Sequence, residues 1–350
     1  MSQNYATKYS SKIAERFAKK SITNAASGNE YSFVGAKTVK ISSVDTVALN
    51  NFDRTAASNR FGAVSNLGDT VQEMTCSQDK SFTFAIDAGD NADKSIDMAA
   101  GKALAREIDE VIVPTMDKYR FKKWTMGANT QMSMSSAPTK ATIVGDIIDL
   151  NAAMTDALVP LENRTLYIST AYYKLLKQDS GFLGVETLGK EALTRGMVGE
   201  VDGCAVVPVP TSWLPTNVYF IIKYRGSSVD PVKLQNYDVL TKVQGFDGPV
   251  VQGRMYYDSF VIGAKGDGIA VAGSSSTVLA APVMTITTHA VSIAAVSGVV
   301  FLYTTDGTNP RYSDTAATYS SAVTLTTGQT MRAIGTKDGC VGIEGTQAYE

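Results

Sequence analysis

Histidine is nearly missing from this sequence: 350 residues hold one, His289. It sits in a Thr-rich stretch near the C-terminus, which leaves no imidazole for a Ser-His-Asp or Cys-His arrangement elsewhere in the chain. Cysteine is scarce too. Cys76, Cys204 and Cys340 lie far apart and form no CxxC pair. That excludes a disulfide framework and a zinc site, and it suits a reducing compartment. No apolar run approaches the ~18 residues of a membrane helix. The opening stretch, MSQNYATKYSSKIAERFAKK, lacks the apolar core of a signal peptide, so the chain is expected to be made and kept in a cytoplasm. Charged residues are 19% of the total and the net charge is −2, which predicts no bulk affinity for nucleic acid or membrane.

The motifs of catalysis are missing as well. Gly101-Lys102 lacks the preceding glycine and the following hydroxyl of a phosphate loop. Gly263, Gly266 and Gly268 follow a strand, but their spacing is not the dinucleotide pattern and no helix is predicted after them. Asp87, Asp90 and Asp93 crowd an acidic loop without the Glu-terminated pattern of a calcium loop. Asp146 and Asp149 are three apart on a predicted helix, which suits a solvated face. No catalytic, cofactor-binding or metal-ligating residue is nominated, and no cofactor is expected.

What the chain does have is an uneven charge distribution. Residues 1–40 carry seven basic and two acidic side chains; residues 69–110 carry ten acidic and four basic. A basic arm and an acidic loop on one chain can pair between neighbouring copies. Arg16, Lys19 and Lys20 on the arm, and Glu73, Asp79 and Asp87 on the loop, are the candidate inter-subunit contacts; solvated faces are the plainer reading.

The pattern along the chain predicts an amphipathic helix over 9–22, too short to stand alone in water. Alternation over 31–52 predicts strands. Residues 61–94 are polar and turn-rich and predict a hairpin, Thr70 to Thr75 against Ser81 to Ile86, with too little apolar surface for its own core. Residues 95–123 give the strongest helix, with Leu104, Ile108, Val111, Ile112, Met116 and Tyr119 in one stripe and a kink expected at Pro114. The basic residues Arg120, Lys122 and Lys123 read as cations complementing the end of that helix. A soft stretch follows over 127–138. Alternating elements over about 140–236 argue an α/β or α+β domain. Strands over 237–244 and 255–264 return to the long helix. A Ser run at 274–276 precedes a terminal stretch, 277–350, of short Thr-, Val- and Ala-rich segments broken by turns such as Ser297-Gly298, Asp306-Gly307 and Thr327-Gly328, which predicts a small all-β sandwich.

Several runs resemble tailed-bacteriophage major capsid proteins: Val113-Pro114-Thr115-Met116-Asp117-Lys118-Tyr119-Arg120-Phe121, Arg164 to Ser169 with Tyr173 to Lys177, Gly199 to Cys204 followed by Val206 to Pro210, Pro231 to Gln235, and Gly253 to Val261. Together they span about residues 1–272. The resemblance implies an α+β capsid fold shared with herpesviruses and encapsulin compartments. It divides the chain into an arm and first strands (1–60), an extended loop over a neighbour (61–94), a peripheral domain with the spine helix (95–139 and 237–272) and an axial domain (140–236). It further implies self-assembly through hexamers and pentamers, scaffolding and portal partners, packaged DNA held by weak contacts, assembly in the host cytoplasm and residence in the virion. An encapsulin-like shell is the alternative.

The terminal stretch is similar to the noncatalytic immunoglobulin-like domain of chitobiase-type glycosidases in Phe301 to Pro310, Thr318-Tyr319 and Thr330 to Gly339. On a capsid it would project outward. Tyr303, Tyr312 and Tyr319 are its candidates for stacking on host or mucosal glycans, with structural packing as the competing reading.

Overall fold

The computed structural model describes residues 21–28, 38–44, 69–87, 100–178, 199–240, 247–275, 277–313, 315–337 and 340–349, with scattered positions between them. The helix expected over 9–22 falls outside these residues apart from Ser21 and Ile22, which are not helical.

The first strands are β1 (Thr38–Val44), β2 (Asp69–Thr75) and β3 (Gln78–Ala85). The sequence suggested β2 and β3 as arms of one hairpin, and they are not. β2 pairs antiparallel with β1, Val44 opposite Asp69, to form a two-stranded ribbon. β3 pairs instead with β11 (Val250–Tyr257), which also carries β10 (Val232–Leu240) on its other edge. The redirection happens at Cys76-Ser77. Cys76 is buried, and Asp258 accepts from the Ser77 backbone N–H at 2.8 Å and from its hydroxyl at 2.9 Å. A carboxylate taking both donors fixes the corner and sends β3 away from β2.

The spine helix runs as α1 (Ala100–Glu107), a π-helical turn (Ile108–Ile112) and α2 (Val113–Gly127). Pro114 falls in the first turn of α2. A proline inside a helix lacks an N–H and clashes with the carbonyl four residues back. The wide turn just ahead of it eases both conflicts, so the helical run continues across the proline. The same turn swings Val111 off the apolar stripe, leaving it 49% exposed. Ile112 and Met116 stay on the inner face and pack with Met255 and Tyr257 of β11.

The second body is a six-stranded sheet in the order β4 (Thr130–Met134), β13 (Ile269–Ser274), β8 (Val218–Tyr224), β5 (Arg164–Ser169), β7 (Cys204–Val209), β6 (Glu200–Val201). Two of these strands differ from expectation. β4 lies in the stretch read as soft, and β13 leaves the peripheral strands to sit between β4 and β8. Burial explains β13: Ile269, Ala270, Val271 and Ala272 are all fully buried, and a continuously apolar strand belongs inside a sheet covered on both faces. α3 (Ile143–Asp156) covers one face with Ile143, Ile147, Leu150 and Met154. Phe121 and Trp124 of α2 cover the other, against Tyr167, Ile221 and Val271. Phe121 and Trp124 each meet the Tyr167 ring, with centroids 5.3 and 5.7 Å away.

The C-terminal stretch is a two-sheet sandwich as predicted. β14 (Met284–Thr287), β15 (Ala290–Ile293) and β18 (Val323–Thr324) face β16 (Val300–Thr304), β17 (Ala317–Thr318), β19 (Thr330–Lys337), β20 (Cys340–Val341) and β21 (Gly345–Ala348). Val291, Ile293, Phe301, Leu325, Met331 and Ala333 form its own core.

Gly253 at the centre of β11 has no room for a side chain: an added Cβ would stand 2.2 Å from the Phe82 ring and 2.8 Å from the Tyr237 ring. Gly253→Ala is expected to destabilise the protein by about 1–3 kcal/mol, the usual range for overpacking. A urea unfolding midpoint equal to that of the wild type would show that the aromatic pair yields freely.

Candidate assembly surfaces

The joint between spine helix and sheet is built from charges. Asp117 and Arg120, one turn apart on α2, are both buried, with 3.9 Å between Arg120 Nη1 and Asp117 Oδ1. Lys223 of β8 and Asp230, just past the short strand β9 (Ser228–Val229), are buried with them. Residues 21–28 cross this joint as a strap and supply many of its hydrogen bonds, although the buried Arg120 Nε has no partner among the described residues. Asp117 accepts from the Ser21 hydroxyl at 2.8 Å, the Ile22 N–H at 3.0 Å and the Thr23 hydroxyl at 2.5 Å. Arg120 donates to Thr23 at 2.8 Å and to Asn24. Asp230 accepts from the hydroxyls of Ser27, Ser228 and Ser259 and from the Trp124 indole at 3.4 Å. Lys223 donates to the Ala26 carbonyl and lies 4.5 Å from the Trp124 ring centroid, a cation–π contact. Burial drives the Lys223 ammonium down to about 8, with Asp230 opposing the fall.

This joint was not legible as a site. Arg120 is not a cation at the helix end: the helix runs on to Gly127 and its last turn holds no basic residue. Asp117 and Arg120 alternate with Lys118 and Lys122, which are exposed, so the sequence shows only a charged helix. The one available signal was Lys223 closing the apolar run of β8.

The candidate inter-subunit residues fall partly within the described chain. Arg16, Lys19 and Lys20 lie outside the described residues. Glu73 pairs with Lys40 at 3.3 Å across the β1–β2 ribbon. Asp79 takes both its contacts from the Arg254 guanidinium, at 2.9 and 2.6 Å, and that pairing lowers its carboxyl below the ordinary range. Asp87 is exposed just past β3. Glu73 and Asp79 thus have partners within their own chain.

The three tyrosines are all engaged in packing. Tyr303 and Tyr319 border the sandwich core edge to face, with centroids 6.2 Å apart, and the Tyr319 hydroxyl accepts the Ile293 N–H at 3.0 Å. Tyr312 leaves the sandwich altogether: its hydroxyl donates to the Gly127 carbonyl at the end of α2. Burial raises its phenol above the ordinary range.

Two substitutions test the joint. Asp117→Ala strands the Arg120 charge and is expected to cost about 3–5 kcal/mol in urea unfolding; a loss below ~1 kcal/mol would show that water reaches the site. Lys223→Met tests the pH dependence. Between about 8 and the ordinary 10.5 the unfolded chain holds a proton that the folded one lacks, so this lysine makes the fold more stable as pH rises through that window, and least stable below it. The difference in unfolding free energy between wild type and Lys223→Met should climb across the window; a flat difference would mean an unshifted lysine.

The family model described as Fn3 associated matches residues 292–343, within the sandwich. No curated protein sequence matches the chain. Solved structures do. The structure from Mycobacterium phage Che8 superposes with a TM-score of 0.66 at 16% identity, over 78% of this chain and 98% of that one. The capsid structure of cyanophage P-SCSP1u gives 0.64 at 12% identity, over 77% and 93%. The head structure of Helicobacter pylori bacteriophage KHP40 gives 0.57 at 12% identity, over 77% and 95%. The chain therefore has the α+β fold of tailed-phage capsid structures, with an all-β immunoglobulin-like module at its C-terminus.

Proposed function

We propose that this chain is a non-enzymatic major capsid protein, many copies of which close into the icosahedral shell around a phage genome. The observation that carries the reading, beside the fold, is the β1–β2 ribbon. Its base is anchored by Ile41 and Met74 against Val229 and Ile262. Beyond the base, Leu49 is fully exposed and Phe61 is 84% exposed, and Phe52 meets Phe61 edge to face at 5.0 Å. Neither ring belongs to a buried cluster among the described residues. Exposed apolar side chains on the segment that joins β1 to β2 fit a neighbouring subunit as further cover. On this reading the copies form hexamers and pentamers in the host cytoplasm with scaffolding and portal partners, DNA is held by weak contacts, and the sandwich stands on the outer surface.

Phe61→Ser with Phe52→Ser tests it, because these side chains lie outside the buried clusters. The variant is expected to fold, with wild-type circular dichroism, and to sediment as small species where the wild type gives closed shells in negative-stain micrographs. Shells forming equally well in the variant would remove the ribbon from assembly. A wild type that never forms shells, even with phage lysate added, would remove the capsid reading.

A further inference from the structure

We propose that the C-terminal module is a built-in brace, locking the crossing between the spine helix and the six-stranded sheet, rather than a pendant domain on a loose tether. The inference rests on packing within one chain and holds whether or not the shell reading does.

The tether is bonded to the body on both sides of residue 276. The Ser275 N–H donates to the Met134 carbonyl at 3.0 Å, the Thr277 hydroxyl to the Thr216 carbonyl at 2.9 Å, and the Ser133 hydroxyl to the Val278 carbonyl at 2.9 Å. Val278 is buried with Trp124 and Val271 in the cluster under the sheet. The module then grips the body a second time, far from the tether in sequence, through residues 309–312. Arg311 Nη1 donates to Asn129 Oδ1 at 2.8 Å, and Asn309 Nδ2 reaches the same oxygen at 3.3 Å. The gripping loop is shaped beforehand: Asp306 accepts from the Thr308 N–H at 3.0 Å and from the Thr315 hydroxyl, and the Arg311 N–H donates to Asn309 Oδ1 at 2.9 Å.

The seat on the body is made of glycines. The chain passes from helix to sheet at Gly127–Asn129, and again through the 3₁₀ turn Gly263–Gly268 that leads into β13. Tyr312 lies against both passages. A Cβ at Gly263 would stand 3.2 Å from its ring, and a Cβ at Gly266 would stand 2.8 Å from its hydroxyl. Glycines at a crossing weaken it, because each loses the most backbone freedom on folding. Here the tyrosine fills the space they leave and bonds the last carbonyl of the helix. A joint of this kind is rigid only while the ring is in place.

The test uses the full-length chain in scanning calorimetry. Tyr312→Ala is expected to lower the melting of residues 21–275 by about 2–4 °C or more and to separate a module transition from it. Asn129→Ala touches the seat from the body side and leaves every module residue intact, so it should produce the same separation even if Tyr312→Ala unfolds the sandwich itself. Arg311→Ala combined with Asn129→Ala should cost less than the sum of the two singles, since they break one contact. Wild-type melting in Asn129→Ala, or full additivity of that pair, would overturn the brace.

Discussion

The buried charge joint of Asp117, Arg120, Lys223 and Asp230 is the constraint on which the rest of the architecture rests. Two acids and two bases taken out of water would each cost several kcal/mol if left alone. They are stable here because a segment distant in sequence, residues 21–28, supplies hydroxyls, an N–H and a carbonyl at the required positions. The spine helix, the sheet and the strap therefore define one another. An apolar joint would tolerate sliding. A joint of directed hydrogen bonds to buried charges fixes the crossing and its register together, because a shift of one residue would leave a charge without partners.

From that fixed point two kinds of element extend. The six-stranded sheet owns its core, and its sequence shows it in the apolar runs of β8 and β13. The spine helix reconciles a proline with continuity by widening one turn at Ile108–Ile112, so its C-terminal half reaches the charge joint in register. The most perturbed groups among the described residues, Lys223 and the buried tyrosines, are engaged in holding elements together.

The sequence made the large pieces legible where periodicity and burial agree. The spine helix, α3, β5, β8 and the terminal sandwich, with its turns at Gly298, Gly307 and Gly328, all follow from apolar spacing and turn residues. It misled where strand identity depends on a distant partner. β2 and β3 look like one hairpin because they are close and alternate alike; only the Asp258 bonds to Ser77 show why they part. Charge alone also did not show that Glu73 and Asp79 pair within the chain, with Lys40 and Arg254. The apolar ribbon end was invisible, because Leu49, Phe52 and Phe61 are scattered through a polar stretch and gain meaning only when the chain folds back on itself.

The ribbon and the module solve opposite problems. The segment joining β1 to β2 keeps Phe52 and Phe61 exposed, so part of their burial free energy becomes available only when another surface covers them. The module encloses its own core and presses Tyr312, Arg311 and Asn309 into its own body, so that face is already used. If copies of this chain associate, the exposed apolar side chains between β1 and β2 are, among the described residues, open to a neighbour. The docked side of the module contributes by stiffening what the ribbon projects from. That division follows from where apolar surface is left open and where it is closed within one chain, and it assigns association and rigidity to different parts of the same polypeptide.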